Sequence, residues 1–475
     1  MTHQSVTLTG HTLTLEEVVR VARARERVTL HPDAIAAMRR SRAIVERALD
    51  RGEIVYGLTT GVAALKRSRV DPAEIIRFNH DMILQHRIAQ GPAAAPDTVR
   101  AALLRLLNYL VSGFPGARPE LAEHLAAALN ADRLPTVRTL GSVGQSDLAQ
   151  MADLAHGLLG DFRLAGGEGL ALMNNNSFST GSATLAIADL TRLHHTMHAV
   201  GALSLEGFHA NPSILHSIVG TARPLPGLTR SLVTLRTLLD GSFLWTQPPR
   251  NLQDPLTFRT LPQALGAVGD ALTYAREQLE RELNTAQGNP IVVTEEDRVI
   301  SVGNFDISPL AAALDLIRIA LASFLTGSAE RAVKHLERPW SGLPTGLTQQ
   351  DNLPDAGLNE LSIAAVSMAG EARLLAQPVS FEIPSSSLAE GIEDRMTFAP
   401  LAVRRLNQML DLGGRILAIE LTVAGQAAEH RGLQPLGRGT ATLLAQLRQR
   451  IAFMREPGQF PDDLELVVDL VRTPS

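Results

Sequence analysis

Gly141-Ser142-Val143-Gly144-Gln145-Ser146-Asp147-Leu148-Ala149 packs two glycines, two serines and an aspartate into seven residues. That composition predicts a tight, backbone-exposing turn. From residue 148 to 159 apolar side chains recur at helical spacing, so Ser146 or Asp147 is the expected N-cap of a helix. Taken alone, the stretch is a loop that caps a helix.

The chain around it has 475 residues, 45% of them apolar and only 4% aromatic. A core of Leu, Ala, Val and Ile favours helix-on-helix packing. Apolar-periodic segments fall at 16–27, 32–49, 75–88 and 99–112, after a short extended start at 5–15. Beyond residue 180 they lengthen, to roughly 180–208, 228–240, 260–283, 308–333, 357–376, 397–430 and 439–454. The expected fold is all-α. Residues 1–180 form an N-terminal region carrying two loops, and 181–475 form a long-helix bundle with C-terminal helices. A net charge of −5 makes no electrostatic case for nucleic acid. Basic residues are almost all Arg, with Lys only at Lys66 and Lys334. The absence of cysteine removes disulfides, thiolate nucleophiles and Cys-ligated metal. No basic stretch runs into an apolar leader, and no uncharged apolar stretch has membrane length. A cytoplasmic protein without membrane contact is expected.

The opening stretch resembles the signature of the histidine and aromatic amino-acid ammonia-lyases, Gly-Ser-Val-Gly-Ala-Ser-Gly-Asp-Leu-Ala. In that family Ala-Ser-Gly cyclises and dehydrates to an electrophilic methylidene-imidazolone (MIO). Here Gln145-Ser146 stands where Ala-Ser-Gly should be, and Asp147-Leu148-Ala149 follows one residue early. Cyclisation needs a backbone nitrogen to attack the carbonyl two residues back, an approach that glycine permits because it lacks a Cβ. With the glycine missing, or with Asp147 in its place, no MIO and no other cofactor is expected.

The resemblance runs from about residue 50 to 435 through motifs in the family's order. Tyr56 in Tyr56-Gly57-Leu58-Thr59-Thr60-Gly61-Val62-Ala63 matches the family's proton-abstracting tyrosine, with Val62-Ala63 replacing Phe-Gly. Gln85-His86 falls on the substrate-selecting pair, Ser-His in histidine-specific members, and implies a polar pocket wall. Gly116-Ala117-Arg118-Pro119-Glu120 and Glu168-Gly169-Leu170-Ala171-Leu172-Met173-Asn174 match two further motifs, the second ending in a substrate-contacting Asn174. In the segment 250–259, Gln253 and Arg259 match, Arg259 as the binder of the substrate carboxylate, but Leu256 replaces a tyrosine. An Arg suits that role because its planar fork matches both carboxylate oxygens. Leu283-Asn284 and Asn289-Pro290 match an Asn-Pro turn. Gly303-Asn304-Phe305 matches Gly-Asn-Phe, with Asp306-Ile307 for the usual His-Gly, so Asn304 and Phe305 join the implied substrate set. The segment 389–396 resembles a Gln-Glu-Asp-His stretch whose Glu is an active-site acid; Glu393 aligns with it and Glu390 competes.

The resemblance implies a homotetramer with active sites shared between subunits, but fold does not fix function. In the leading reading, an MIO-less enzyme uses Tyr56, His86 and Glu393 for proton transfer, while Arg259 and the asparagines hold a small carboxylate or carbonyl substrate. Without an electrophile nothing absorbs the charge of a removed β-proton, so the substrate must be activated already. Elimination, isomerisation, addition or cyclisation would fit. Alternatively Gln145-Ser146-Asp147 forms an altered electrophile and the chain deaminates histidine or an aromatic amino acid, or the chain is an inactive scaffold or partner protein. His194, His195 and His198 have metal-helix spacing but no accompanying carboxylate, so no metal is expected.

Overall fold

Helices carry most of the chain because its apolar residues recur with the period of a helix face. A computed structural model describes residues 5–349, 354–380 and 387–473. Expected and observed helices coincide where the period is clean: Leu148–Leu159, Leu261–Leu283 and Ala399–Arg431. The mostly helical architecture is the one expected. Three two-stranded sheets accompany the helices. Val6–Leu8 pairs in parallel with Val28–Leu30, which accounts for the extended start.

The chain folds into two compact units, each discontinuous in sequence. The first comprises residues 1–188, 275–314 and 378–404, and the second 189–274, 315–377 and 405–475. The chain thus leaves the first unit after residue 188 and re-enters it twice.

In the first unit two sequence motifs form a clasp. The buried Glu168 carboxylate accepts from Arg118 Nε at 2.9 Å, Arg118 Nη2 at 2.7 Å, and the backbone N–H groups of Arg118 and Ala165 at 2.9 and 2.7 Å. Four donors on one carboxylate offset its burial. Asn79 Oδ1 then accepts from Gly169 N at 2.8 Å, tying helix Ile75–Gln85 to helix Glu168–Met173. Asn108 and Asn284 are likewise spent on backbone: Asn108 donates to Leu283 O at 2.9 Å, and Asn284 exchanges bonds with the Leu13 backbone. These motif residues hold the framework around the loops.

The second unit has a buried ion pair at its centre. Arg331 and Glu420, 1% and 0% exposed, meet fork to fork at 2.6 and 2.9 Å, and Ser328 Oγ donates to the same carboxylate. Arg331 lies on helix Ser308–Leu336, which is long and apolar enough to cross a membrane. A helix was expected here, over 308–333, and the stretch is not uncharged, since the helix carries Asp315, Arg318, Glu330, Arg331 and Lys334. The buried, ion-paired Arg331 and Arg318 mark it as a core helix. Glu420→Ala would strand the Arg331 charge in the core. We expect it to destabilise the protein by about 3–5 kcal/mol, read as a lowered urea midpoint; an unchanged midpoint would refute the pair's structural role.

Candidate active site

Asp147 occupies the N-cap position of helix Leu148–Leu159, as expected, but its side chain does not cap that helix. The fully buried carboxylate instead accepts from Ser179 N and Ser179 Oγ, both at 2.7 Å, with Ser142 Oγ 3.3 Å away. The Phe178 N–H also bonds to it. Asp147 therefore caps the first turn of helix Ser177–Phe208, where free N–H groups and the helix dipole favour an anion. Its own N–H donates to Asn175 O at 2.9 Å. One residue earlier, Ser146 is buried in the left-handed region at φ 64, and its Oγ donates to Asn174 Oδ1. Asn174 in turn donates to Asn289 O at 2.8 Å. At φ 85 Gly144 is obligatory, since a Cβ there would sit 2.2 Å from Thr397 Oγ1.

The same unit brings Tyr56 and Glu393 into one electrostatic neighbourhood. Tyr56 Oη accepts from Ala63 N at 2.9 Å. Ala63 reaches it only by adopting φ 51, a conformation that costs a residue with a Cβ roughly 1 kcal/mol. Burial raises the phenol pKa and the Glu393 charge raises it further, while the Ala63 N–H pulls it down. Glu393 sits on a tight hairpin in which Leu388 and Glu393 exchange backbone bonds at 2.9 and 3.2 Å. Glu390, at the tip in the left-handed region, is exposed and lies 4.0 Å from Lys66 Nζ. Of the two competing acids, Glu393 is thus the one that acts on Tyr56.

The remaining candidates are scattered. Gln85 is exposed at the end of helix Ile75–Gln85, and His86 Nδ1 bonds to Met82 O at 2.7 Å. Asn304 is exposed, whereas Phe305 is half-buried and its carbonyl accepts from Asn176 Nδ2 at 2.5 Å. In the second unit Arg259 Nη1 donates to Gln253 Oε1 at 2.6 Å, and the buried Arg259 Nε has no partner among the described residues. Asp254 is occupied elsewhere, by Asn211 N and Asn251 Nδ2. Leu256 is 63% exposed. His194 bonds to Leu265 O, and His198 to His194 O and Ser231 Oγ, so both are committed to the fold.

Sequence reasoning missed Asn175, Asn176, Ser179 and Ala63. A signal for the first two was present in the polar run 174–177 that opens a long apolar helix. Two atoms in that run, Asn176 Oδ1 and Ser177 Oγ, are buried without a partner among the described residues. The cavity beside Tyr56, lined by Gly57, Gly116, Leu170, Asn289 and Pro290 among others, holds about 20 Å³, roughly room for one water. A larger one of about 710 Å³, lined by Glu53, Ile54, Arg69, Ile76 and others, contains none of the candidate residues.

The aromatic amino acid lyase family model matches residues 13–163 and 159–449. The chain belongs to the aromatic amino acid lyase family. It is 34% identical to histidine ammonia-lyase of Geobacillus thermodenitrificans, covering 97% of this chain and 96% of the relative. With histidine ammonia-lyase of Anaeromyxobacter sp. strain K the identity is 35%, covering 98% of each. Among solved structures, the ergothioneine-degrading enzyme ergothionase of Treponema denticola superimposes with a TM-score of 0.94 at 27% identity over 99% of both chains. Tyrosine aminomutase of Streptomyces globisporus does so with 0.91 and 27% over 99% and 97%.

Burial pushes the Asp147 carboxyl up to about 6 against the bonds from Ser179, Ser142 and Phe178 that pull it down. A folded pKa above the unfolded value near 3.8 means that the folded state holds the proton more tightly. This contribution is complete below about pH 4 and is lost as pH rises through about 6, on the order of a few kcal/mol in all. Asp147→Asn keeps an acceptor for Ser179 and cannot ionise. Urea melts between pH 4 and 7 should therefore show a flatter stability profile in the variant; parallel profiles would refute the assignment.

Proposed function

We propose that this lyase eliminates a preformed nitrogen leaving group from the α-carbon of a small, histidine-like carboxylate, without MIO. The observation that carries the reading is the commitment of Asp147. Its N–H, the nitrogen that would have to attack the Gln145 carbonyl, is bonded to Asn175 O, and its side chain is buried on Ser179. Closing the ring would break both sets of bonds and place a substituted β-carbon where glycine is needed. The residues present do not fit the prosthetic group.

An ammonium group is a poor leaving group unless an electrophile captures it, whereas a quaternary ammonium departs as a neutral tertiary amine. Ergothioneine, the compound named for the Treponema relative, is a trimethylated amino acid of that class. In the proposed step Tyr56, as the phenolate formed once its own proton has passed to solvent, takes the β-proton; the Cα–Cβ double bond forms from that C–H pair, and the C–N pair leaves with the amine. The Ala63 N–H, bonded to Tyr56 Oη, favours that phenolate. Arg259, whose buried Nε has no partner among the described residues, holds the substrate carboxylate. Gln85 and His86 give the heterocycle a polar wall.

The reading includes a homotetramer with composite sites. The Tyr56 cavity of about 20 Å³ is too small for an amino acid, and Leu252 and Leu256, beside Gln253 and Arg259, are 85% and 63% exposed, as expected of surface that a further subunit covers. Light scattering should give four chains per particle; a monomer at micromolar concentration would contradict this.

The full-length identity to histidine ammonia-lyases favours a second reading, deamination of a free amino acid through an altered electrophile. One assay separates the two. Ergothioneine, N,N,N-trimethylhistidine, histidine, phenylalanine and tyrosine are supplied in turn, and acrylate absorbance and amine release are followed. We expect trimethylamine from a trimethylated substrate, no ammonia from the free amino acids, and a loss of at least about 100-fold in kcat for Tyr56→Phe. Ammonia released from histidine at an enzymatic rate would establish the second reading instead.

A further inference from the structure

Three departures from the family's motifs meet in space. Gln145 stands in place of the signature Ala, Asp306 in place of the His after Gly-Asn-Phe, and Arg395 in place of the His that ends the Gln-Glu-Asp-His stretch. Gln145 and Asp306 form an isolated antiparallel bridge, and Gln145 Nε2 donates to Asp306 Oδ2 at 3.2 Å. The same oxygen accepts from Arg395 Nε at 2.5 Å. Asp306 Oδ1 accepts from Ser308 N at 2.9 Å, and Arg395 Nη2 donates to Ser308 Oγ at 3.2 Å. Burial works against its ionisation, yet the bonds from Ser308, Arg395 and Gln145 hold the Asp306 carboxyl down at about 2, so it is an anion throughout the working range.

The arrangement has a polarity. Both Asp306 oxygens are used, and Arg395 neutralises the carboxylate, so Asp306 is not free to bind a ligand directly. The Gln145 donor is committed to Asp306, which fixes the side-chain amide and leaves its Oε1 with no partner among the described residues. What the altered loop offers is an oriented carbonyl dipole whose negative end no described protein donor takes. Such a group attracts cationic nitrogen and gives nothing to an anion.

Resting on the elimination proposed above, we infer that Gln145 selects the cationic leaving group of the substrate, and that Asp306 and Arg395 are positioning residues that hold its amide in the required orientation. Where the family has a group that reacts with the substrate, this chain has one that recognises the departing amine before it departs.

Binding in a Tyr56→Phe background, where turnover is blocked, tests this by calorimetry. The probes are N,N,N-trimethylhistidine and imidazolepropionate, which share the ring and carboxylate and differ in the cationic nitrogen. The Tyr56→Phe protein should bind the cation more tightly. Adding Gln145→Leu should weaken the cation about tenfold and leave imidazolepropionate unchanged; adding Asp306→Asn should act in the same direction. Equal weakening of both probes would mean a structural role and overturn the inference, as would unchanged affinities or the absence of any preference for the cation. In otherwise native protein, Gln145→Leu turning over the trimethylated substrate with wild-type kcat/KM would overturn it too, while leaving the proposed reaction standing.

Discussion

The site depends on one buried carboxylate. Asp147 joins the signature loop to the start of helix Ser177–Phe208 by filling donors that no residue within that helix can satisfy. A charge in such a place is costly unless it is fully hydrogen-bonded, and the Ser179 and Phe178 N–H groups, the Ser179 hydroxyl and the neighbouring Ser142 supply that bonding. With Asp147 fixed, Ser146 is held against Asn174, and Gln145 is brought beside Asp306. The loop's conformation follows from where its aspartate is anchored.

That anchoring has a chemical corollary. An enzyme that captures its leaving group covalently needs a loop free to bend back on itself. Here the backbone nitrogen and the side chain of Asp147 are both committed. A rigid polar loop can still stabilise charge through preoriented dipoles, at no reorganisation cost during reaction. In the proposed reaction such dipoles, weaker than a covalent bond, leave a deficit that a substrate with a better leaving group would make up.

Much of the fold could be read from residue patterns, because a 3.6-residue period survives in a single sequence. Helices Leu148–Leu159 and Leu261–Leu283 fell where the pattern put them. The short helix Glu168–Met173 did not, since six residues are too few to show a period. Tyr56 and Glu393 were legible only through family resemblance, because nothing local brings residues so far apart in sequence together. The opposite failure occurred at Asp147: the local pattern correctly marked an N-cap position, but its partner lay 32 residues on, in another helix. The Gln145–Asp306 and Asp306–Arg395 contacts span 161 and 89 residues. Each departure was visible singly, and their coupling is a property of the fold.

The proposed chemistry requires the signature loop to remain an ordinary peptide. The direct measurement is the mass of the proteolytic fragment containing residues 141–148 from freshly purified protein. The unmodified sequence mass is predicted. A deficit of two water molecules on that fragment would show that the loop had cyclised and dehydrated, and would contradict that chemistry at its base.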